Sequence, residues 1–411
     1  MADRGLTLPA RVRWRLLPWW ARVLLVFAAS RVITTVIVLW FAVVQARATG
    51  GAVPDVFTFA SNWDGQWYWS IAASGYPSEL PRNHAGHVTE NAWAFMPVYP
   101  LILGVFMRLG FPFPIVAVLL TLAAGAVAAL LFERLLRSAG LDAASALFGV
   151  VLLCTAPVSP LFQLAYAEAL GLALLFLALL LVQRRRFVVL LPVIVVMSLT
   201  RPAGLAFALF LLLYVVTRIV RWWRAPDAHP LPPGEVAAIV AAGLTSFAAG
   251  LAWPAIAWAV TGSMTAYTDT ELAWRAGYVG YGELVPFEGW IEGFAFWLRF
   301  AGVPGAGAPL AVATTIVLVV LVAVFLVTPW ARRLGTEVRL WSVSYLVYLL
   351  AVFFPQSSTW RLLLPLSPAL GAFAVPRSRV LRVVLVALGI AGQCVWMYWC
   401  WIRVPGDWSP P

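Results

Sequence analysis

Of the 411 residues, 63% are apolar and only 11% are charged, too little polar side chain to cover a soluble globule. The 28 basic residues, all arginine, outnumber the 17 acids and give a formal charge of +11. They fall in short clusters between apolar runs, which reads as membrane topology and not as a nucleic-acid-binding face.

The N-terminal stretch "MADRGLTLPARVRWRLLPWWARVLLVF" is basic before a long apolar run, so an uncleaved first span is expected rather than a signal peptide. The apolar runs predict an all-α polytopic membrane protein with about eleven spans in a single domain, 1–411. They lie near 23–45, 114–132, 143–160, 164–182, 187–200, 203–219, 235–259, 308–329, 340–354, 361–375 and 383–401. Between them the arginine clusters Arg4 to Arg22, Arg134 with Arg137, Arg184 to Arg186, Arg218 to Arg224, Arg332 to Arg339 and Arg377 to Arg382 hold 19 of the 28 arginines. With all six on the cytoplasmic side, most acids fall on the other side. "PVYPLILGVFMRLGF" (Pro97 to Phe111) is short, opens with prolines and carries Arg108. Counted as a span it would reverse every later loop, so it reads as a juxtamembrane helix on the outer surface. Two long external loops follow, about 46–113 and about 260–306.

The first external loop holds "SNWDGQWYWSIAASGYP". Its aromatics suit a membrane interface, with Trp63, Trp67 and Ile71 at helical spacing expected to face lipid. Asp64 has two readings: a helix cap, as Asn62 also would be, or a carboxylate held at the outer surface as a general base. Tyr68 shares its face. "RNHAGHVTEN" places His84, His87 and Glu90 at a spacing that could hold a metal on one helical turn.

Glu168, in "QLAYAEALGLALLF", opens a span at the outer face, where an acid suits the helix dipole or lines a cavity. Arg201, in "MSLTRPAGLAF", and Arg361, in "FPQSSTWRLLLPLSP", are arginines near the outer face, each either snorkelling to headgroups or binding phosphate. Arg31 lies inside the first span and either snorkels or finds a partner. In the second loop, Thr268 and Glu271 have capping-box spacing, and Glu271 and Arg275 sit four apart on one helical face. Cys154, Cys394 and Cys400 show no disulfide or metal-ligand spacing.

Several stretches together resemble the PIG-V-like mannosyltransferases of the GT-C superfamily of membrane glycosyltransferases. They are "NWDGQWYWSIAASGY", "AWAFMPVYPLI", "PLFQLAYAEALGLALLF", "SLTRPAGLAF", "DTELAWRAGYVGYGELVPFEGW" and "STWRLLLPLSP". The resemblance implies a GT-C-like fold with juxtamembrane helices in the first external loop. It also implies transfer of a hexose, typically mannose, from a polyprenyl-phosphate-linked donor to an acceptor hydroxyl at the outer face of the cytoplasmic membrane. Asp64 would be the catalytic acid of that loop, Arg361 and then Arg201 would meet the donor phosphate, and Tyr68, Glu90, Tyr99, Glu168, Trp274 and Arg275 would line the cavity. The acceptor is a glycan, a glycolipid or a protein. Lipid phosphate is a good leaving group, so no cofactor or metal is required by the chemistry. The competing readings are a secondary transporter and a lipid-linked-sugar flippase without catalysis.

Overall fold

In a computed structural model of the chain, residues 14, 16–305 and 307–403 are described; Arg4, Arg11, Arg13, Arg15 and Asp407 lie outside them. The described residues are helical, with no strand beyond one isolated bridge between Arg82 and Val88. Helices satisfy their own backbone groups, as an apolar solvent requires. Among the described residues, six helices are long and apolar enough to cross a membrane: α1 (Trp19–Thr49), α5 (Phe113–Ser138), α9 (Gly204–Arg224), α10 (Pro233–Thr261), α13 (Ala308–Val327) and Arg379–Trp401, which comprises α18 (Arg379–Trp396) and a π turn.

Around these lie α2 (Val56–Phe59), α3 (Asp64–Ser74), α4 (Val98–Arg108), α6 (Ala143–Thr155), α7 (Glu168–Gln183), α8 (Phe187–Ser198), α11 (Ala266–Val279), α12 (Gly289–Phe300), α14 (Pro329–Arg332), α15 (Gly335–Val352), α16 (Thr359–Leu362) and α17 (Gly371–Ala374). The predicted continuous span 361–375 is instead α16, a 3-10 stretch over Leu364–Leu370, and α17. Pro365 and Pro368 lack the N–H that an α-helix would need there.

The described arginines of these clusters gather at one end of the molecule. Arg218 and Arg185 both reach Glu235, at 2.9 and 3.4 Å, and Arg377 reaches Asp142 at 3.4 Å. At the opposite end α3, α4 and α11 pack together. Trp253 donates its indole N–H to the Trp93 carbonyl at 2.9 Å, and Asn91 donates to Thr270 at 2.9 Å. Helix α4 is 11 residues long, about 16 Å, too short for a bilayer core of about 30 Å. It buries Tyr99 and Leu103 and exposes Leu101 and Val105, as an interfacial helix would.

Helix α6 stops at Thr155, and after Ala156 and Pro157 the chain runs buried from Val158 to Glu168. The carbonyls freed by that break need donors. Arg31 supplies them, donating to the carbonyls of Ser159 at 2.7 Å and Cys154 at 3.0 Å, with its guanidinium near the rings of Phe27 and Phe162. Its shortest bonds are thus to backbone oxygens, with longer ones to the Ser30 and Ser159 hydroxyls at 3.3 Å and to Gln163 at 3.5 Å. Helices α9 and α10 cross at Gly204 and Gly250, where a Cβ on Gly204 would stand 2.7 Å from the Gly250 Cα.

Candidate active site

Helix α3 begins at Asp64, and the residue before it, Trp63, sits at φ 56°, ψ −118°. A bulky residue there costs roughly 1–3 kcal/mol and persists only when its surroundings impose it. The Trp63 indole donates to the carbonyl of Trp401 at 2.7 Å, tying the turn to a residue 338 positions later. Asp64 is not the cap that one reading assigned to it. Its backbone N–H donates to the Tyr166 hydroxyl at 3.1 Å, while Asn62 donates to Gln45 at 3.1 Å. With the first orphan N–H satisfied by a phenol from elsewhere, the Asp64 carboxylate is free to turn outward from its helix.

It turns to Arg361. The Arg361 Nη1 forms a direct ion pair with Asp64 Oδ2 and lies 3.5 Å from Glu168 Oε1; the same Glu168 oxygen is 3.1 Å from Arg201 Nη2. Four residues from four separate segments thus alternate in sign: Asp64, Arg361, Glu168, Arg201. Both acids are the first residues of their helices, where the dipole favours a negative charge. The Arg361 guanidinium also stands 5.2 Å from the centroid of the Tyr166 ring. The Arg201 stem crosses Gly171 so closely that a Cβ there would meet its Cγ at 2.9 Å. Side-chain exposure is 4% for Glu168, 7% for Asp64 and 11% for Arg361, against 21% for Arg201, so Arg201 is the most open of the four. Burial pushes the Asp64 carboxyl above its ordinary range, against the pull of the Arg361 charge.

No family model matches this chain, and no curated protein is significantly similar to it.

The remaining expected residues divide into three groups. Tyr68 and Tyr99 are buried beneath the charges and meet edge to face at 4.9 Å, with the Tyr99 hydroxyl bonded to Thr121 at 2.9 Å. They support Asp64 from below. Glu90 and Trp274 lie beside α3. Glu90 lines a cavity of about 510 Å³ with Trp67, Thr89 and Tyr281, and burial followed by the Asp64 charge raises its carboxyl. Trp274 packs on Trp67 and Phe95, with its indole N–H buried and unpartnered. Arg275 stands apart, donating to the Glu283 carbonyl at 2.8 Å.

Three local expectations are corrected. Trp67 and Ile71 do not face lipid: Trp67 stacks on Phe95 at 5.8 Å and Ile71 is buried, while Trp69 points outward. Helix α11 starts at Ala266, so Thr268 lies inside it and donates to the Thr265 carbonyl instead of forming a capping box with Glu271. His84, His87 and Glu90 lie in irregular backbone rather than on a helical turn; His87 stacks on Tyr281 at 4.4 Å, and no metal-ligating group of three occurs among the described residues.

Sequence reasoning gave no site role to two residues. Tyr166 caps α3 and faces Arg361. Glu271 lies one helical turn from Tyr267, within the field of Arg201, Arg361 and Asp64. Loss of hydration among the surrounding side chains pushes its carboxyl up to about 7, against the pull of the Arg201 and Arg361 charges.

Proposed function

We propose that this chain is a membrane glycosyltransferase that moves a hexose, mannose by its resemblance to the PIG-V-like enzymes, from a polyprenyl-phosphate donor to an acceptor hydroxyl at the extracytoplasmic face of the cytoplasmic membrane. The observation that carries the reading is the Asp64–Arg361–Glu168–Arg201 cluster. It joins a buried carboxylate to two guanidiniums at the end of the molecule opposite the arginine clusters. A GT-C-like arrangement of eleven passes goes with it. Six are the long helices; the other five are α6 with the segment after it, α7, α8, α15, and the broken stretch from Leu364 to Ala374. Passes that short would leave the cluster in a shallow recess at the outer face, within reach of a lipid phosphate.

The donor phosphate would enter at Arg201, the most open member, and draw Arg361 away from Asp64. Asp64, released, takes the proton of the acceptor hydroxyl. The acceptor oxygen bonds to the anomeric carbon as the carbon–oxygen bond to phosphate breaks. The electron pair leaves on polyprenyl phosphate, where Arg361 and Arg201 offset the charge that develops. A single displacement inverts the anomeric configuration. The same phosphate site would serve a flippase, and turnover separates the two. A transporter is less favoured, because these charges gather at one end and not at the middle of the bundle.

The test is purified protein in lipid with synthetic polyprenyl-phosphate-mannose and an extract of glycans and glycolipids. Wild type should release polyprenyl phosphate, and Asp64→Asn should lose about 10²–10⁴-fold in turnover while still binding donor. Donor binding without release from either protein would favour the flippase, and no donor binding would end the reading.

A further inference from the structure

At the other end of the molecule, three helix ends enclose a second charged recess. Trp19 and Arg22 come from the start of α1, and Glu133, Arg134 and Arg137 from the last turns of α5. The first residues of α6 close a cavity of about 230 Å³. Arg22 stands 23 residues before Gln45, the α1 residue bonded to the Asp64 loop, so the two sites lie about 35 Å apart along α1.

Three guanidiniums against one carboxylate leave this recess with a surplus of two positive charges. Glu133 makes only a long ion pair, its Oε2 4.0 Å from Arg134 Nε, and that oxygen is buried without a hydrogen-bond partner. The Arg22 Nε is likewise buried with no partner. Arg134 lies flat over Trp19, its Cζ 3.6 Å from the ring centroid, a stacking that orients the guanidinium fork. An unpartnered buried donor beside an oriented guanidinium is suited to the oxygens of a phosphate.

The surroundings say which phosphate. Leu25 follows Arg22 by three residues on α1 and is 49% exposed. Val127 precedes Arg134 by seven on α5 and is 47% exposed. Each lies on the same helix face as its arginine, one or two turns nearer the middle of the molecule. A ligand with its head in the recess therefore meets apolar walls for its tail, and Trp19 and Trp20 sit at the level where a membrane places aromatic rings. Basic pockets between spans at this level suit anionic headgroups.

We propose that this recess binds the phosphate headgroup of an anionic phospholipid from the leaflet at the arginine-rich end. The inference does not depend on the reaction assigned to the Asp64 cluster.

The test is native mass spectrometry of the full chain in detergent, titrated with phosphatidylglycerol or phosphatidylcholine of the same acyl chains. Wild type should retain phosphatidylglycerol in preference. Arg22→Gln combined with Arg134→Gln should weaken that retention about 30-fold, for two lost charges at the surface. Equal retention of both lipids, or an unchanged double variant, would overturn the proposal. Displacement of the lipid by millimolar inorganic phosphate would show a free-phosphate site instead. If the double variant does not fold, a phosphatidylglycerol carrying a photoreactive group near its head must label wild-type peptides containing Trp19–Leu25 or Glu133–Arg137; labelling elsewhere only would also overturn it.

Discussion

Asp64 and Arg361, 297 residues apart in the chain, form a direct ion pair beside a second carboxylate, Glu168. The proposed base and the proposed phosphate ligand therefore hold each other, and neither is free for chemistry until the other is engaged. Removing one partner of a buried pair leaves the other uncompensated. Arg361→Gln should destabilise the protein by about 3–5 kcal/mol, with Asp64→Asn in the same background restoring part of the loss. Melting in mixed micelles reads both, and simple additivity of the two changes would mean that the pair is not coupled.

Gly171 offers a way to move Arg201 without removing its charge. A Cβ there collides with the Arg201 stem, so Gly171→Ala should push the guanidinium off Glu168. We expect overpacking to cost about 1–3 kcal/mol of stability and donor affinity to fall, with turnover at saturating donor mostly kept. Unchanged donor binding would detach Arg201 from the donor site.

Glu271 gives a pH dependence with a definite sign. Its carboxyl is raised from 4.5 to about 7, so between those values the folded chain binds a proton that the unfolded chain has released. Stability from this group is therefore greatest at low pH and falls as pH rises through that window. Melting temperatures from pH 5 to 8 should decline in wild type relative to Glu271→Gln. Parallel curves would show that Glu271 does not titrate there.

Arg31 tests the buried break after α6. Lysine cannot fork between the Ser159 and Cys154 carbonyls, so Arg31→Lys should cost about 1–3 kcal/mol of stability. Donor affinity in the protein that remains folded should match wild type. A large change in donor affinity instead would tie this break to the site.

Much of the fold was legible because long apolar runs have few other destinations. The lone charges were legible too: Asp64, Glu168, Arg201 and Arg361 each stand out against apolar surroundings. Their partnership was not, because it rests on contacts between residues from 33 to 297 apart, which no local pattern records. Tyr166 illustrates this: a tyrosine two residues before Glu168 carries no sign that its hydroxyl will meet the Asp64 N–H from 102 residues away. Helical spacing also misplaced Trp67 and Ile71, since a periodic apolar stripe looks the same whether it meets lipid or protein. Proline was the readable signal overlooked in 361–375.

The order in which the four charges leave the ribosome has its own consequence. Asp64 is made first, Glu168 and Arg201 follow, and Arg361 arrives 297 residues after Asp64. The turn that presents Asp64 closes later still, on the carbonyl of Trp401. Until then a carboxylate waits at the membrane without its counter-ion, which is costly where water is scarce. A chain that stalls before Arg361 would carry an unneutralised Asp64 and an unclosed helix start, features by which a membrane protease could tell it from the finished protein.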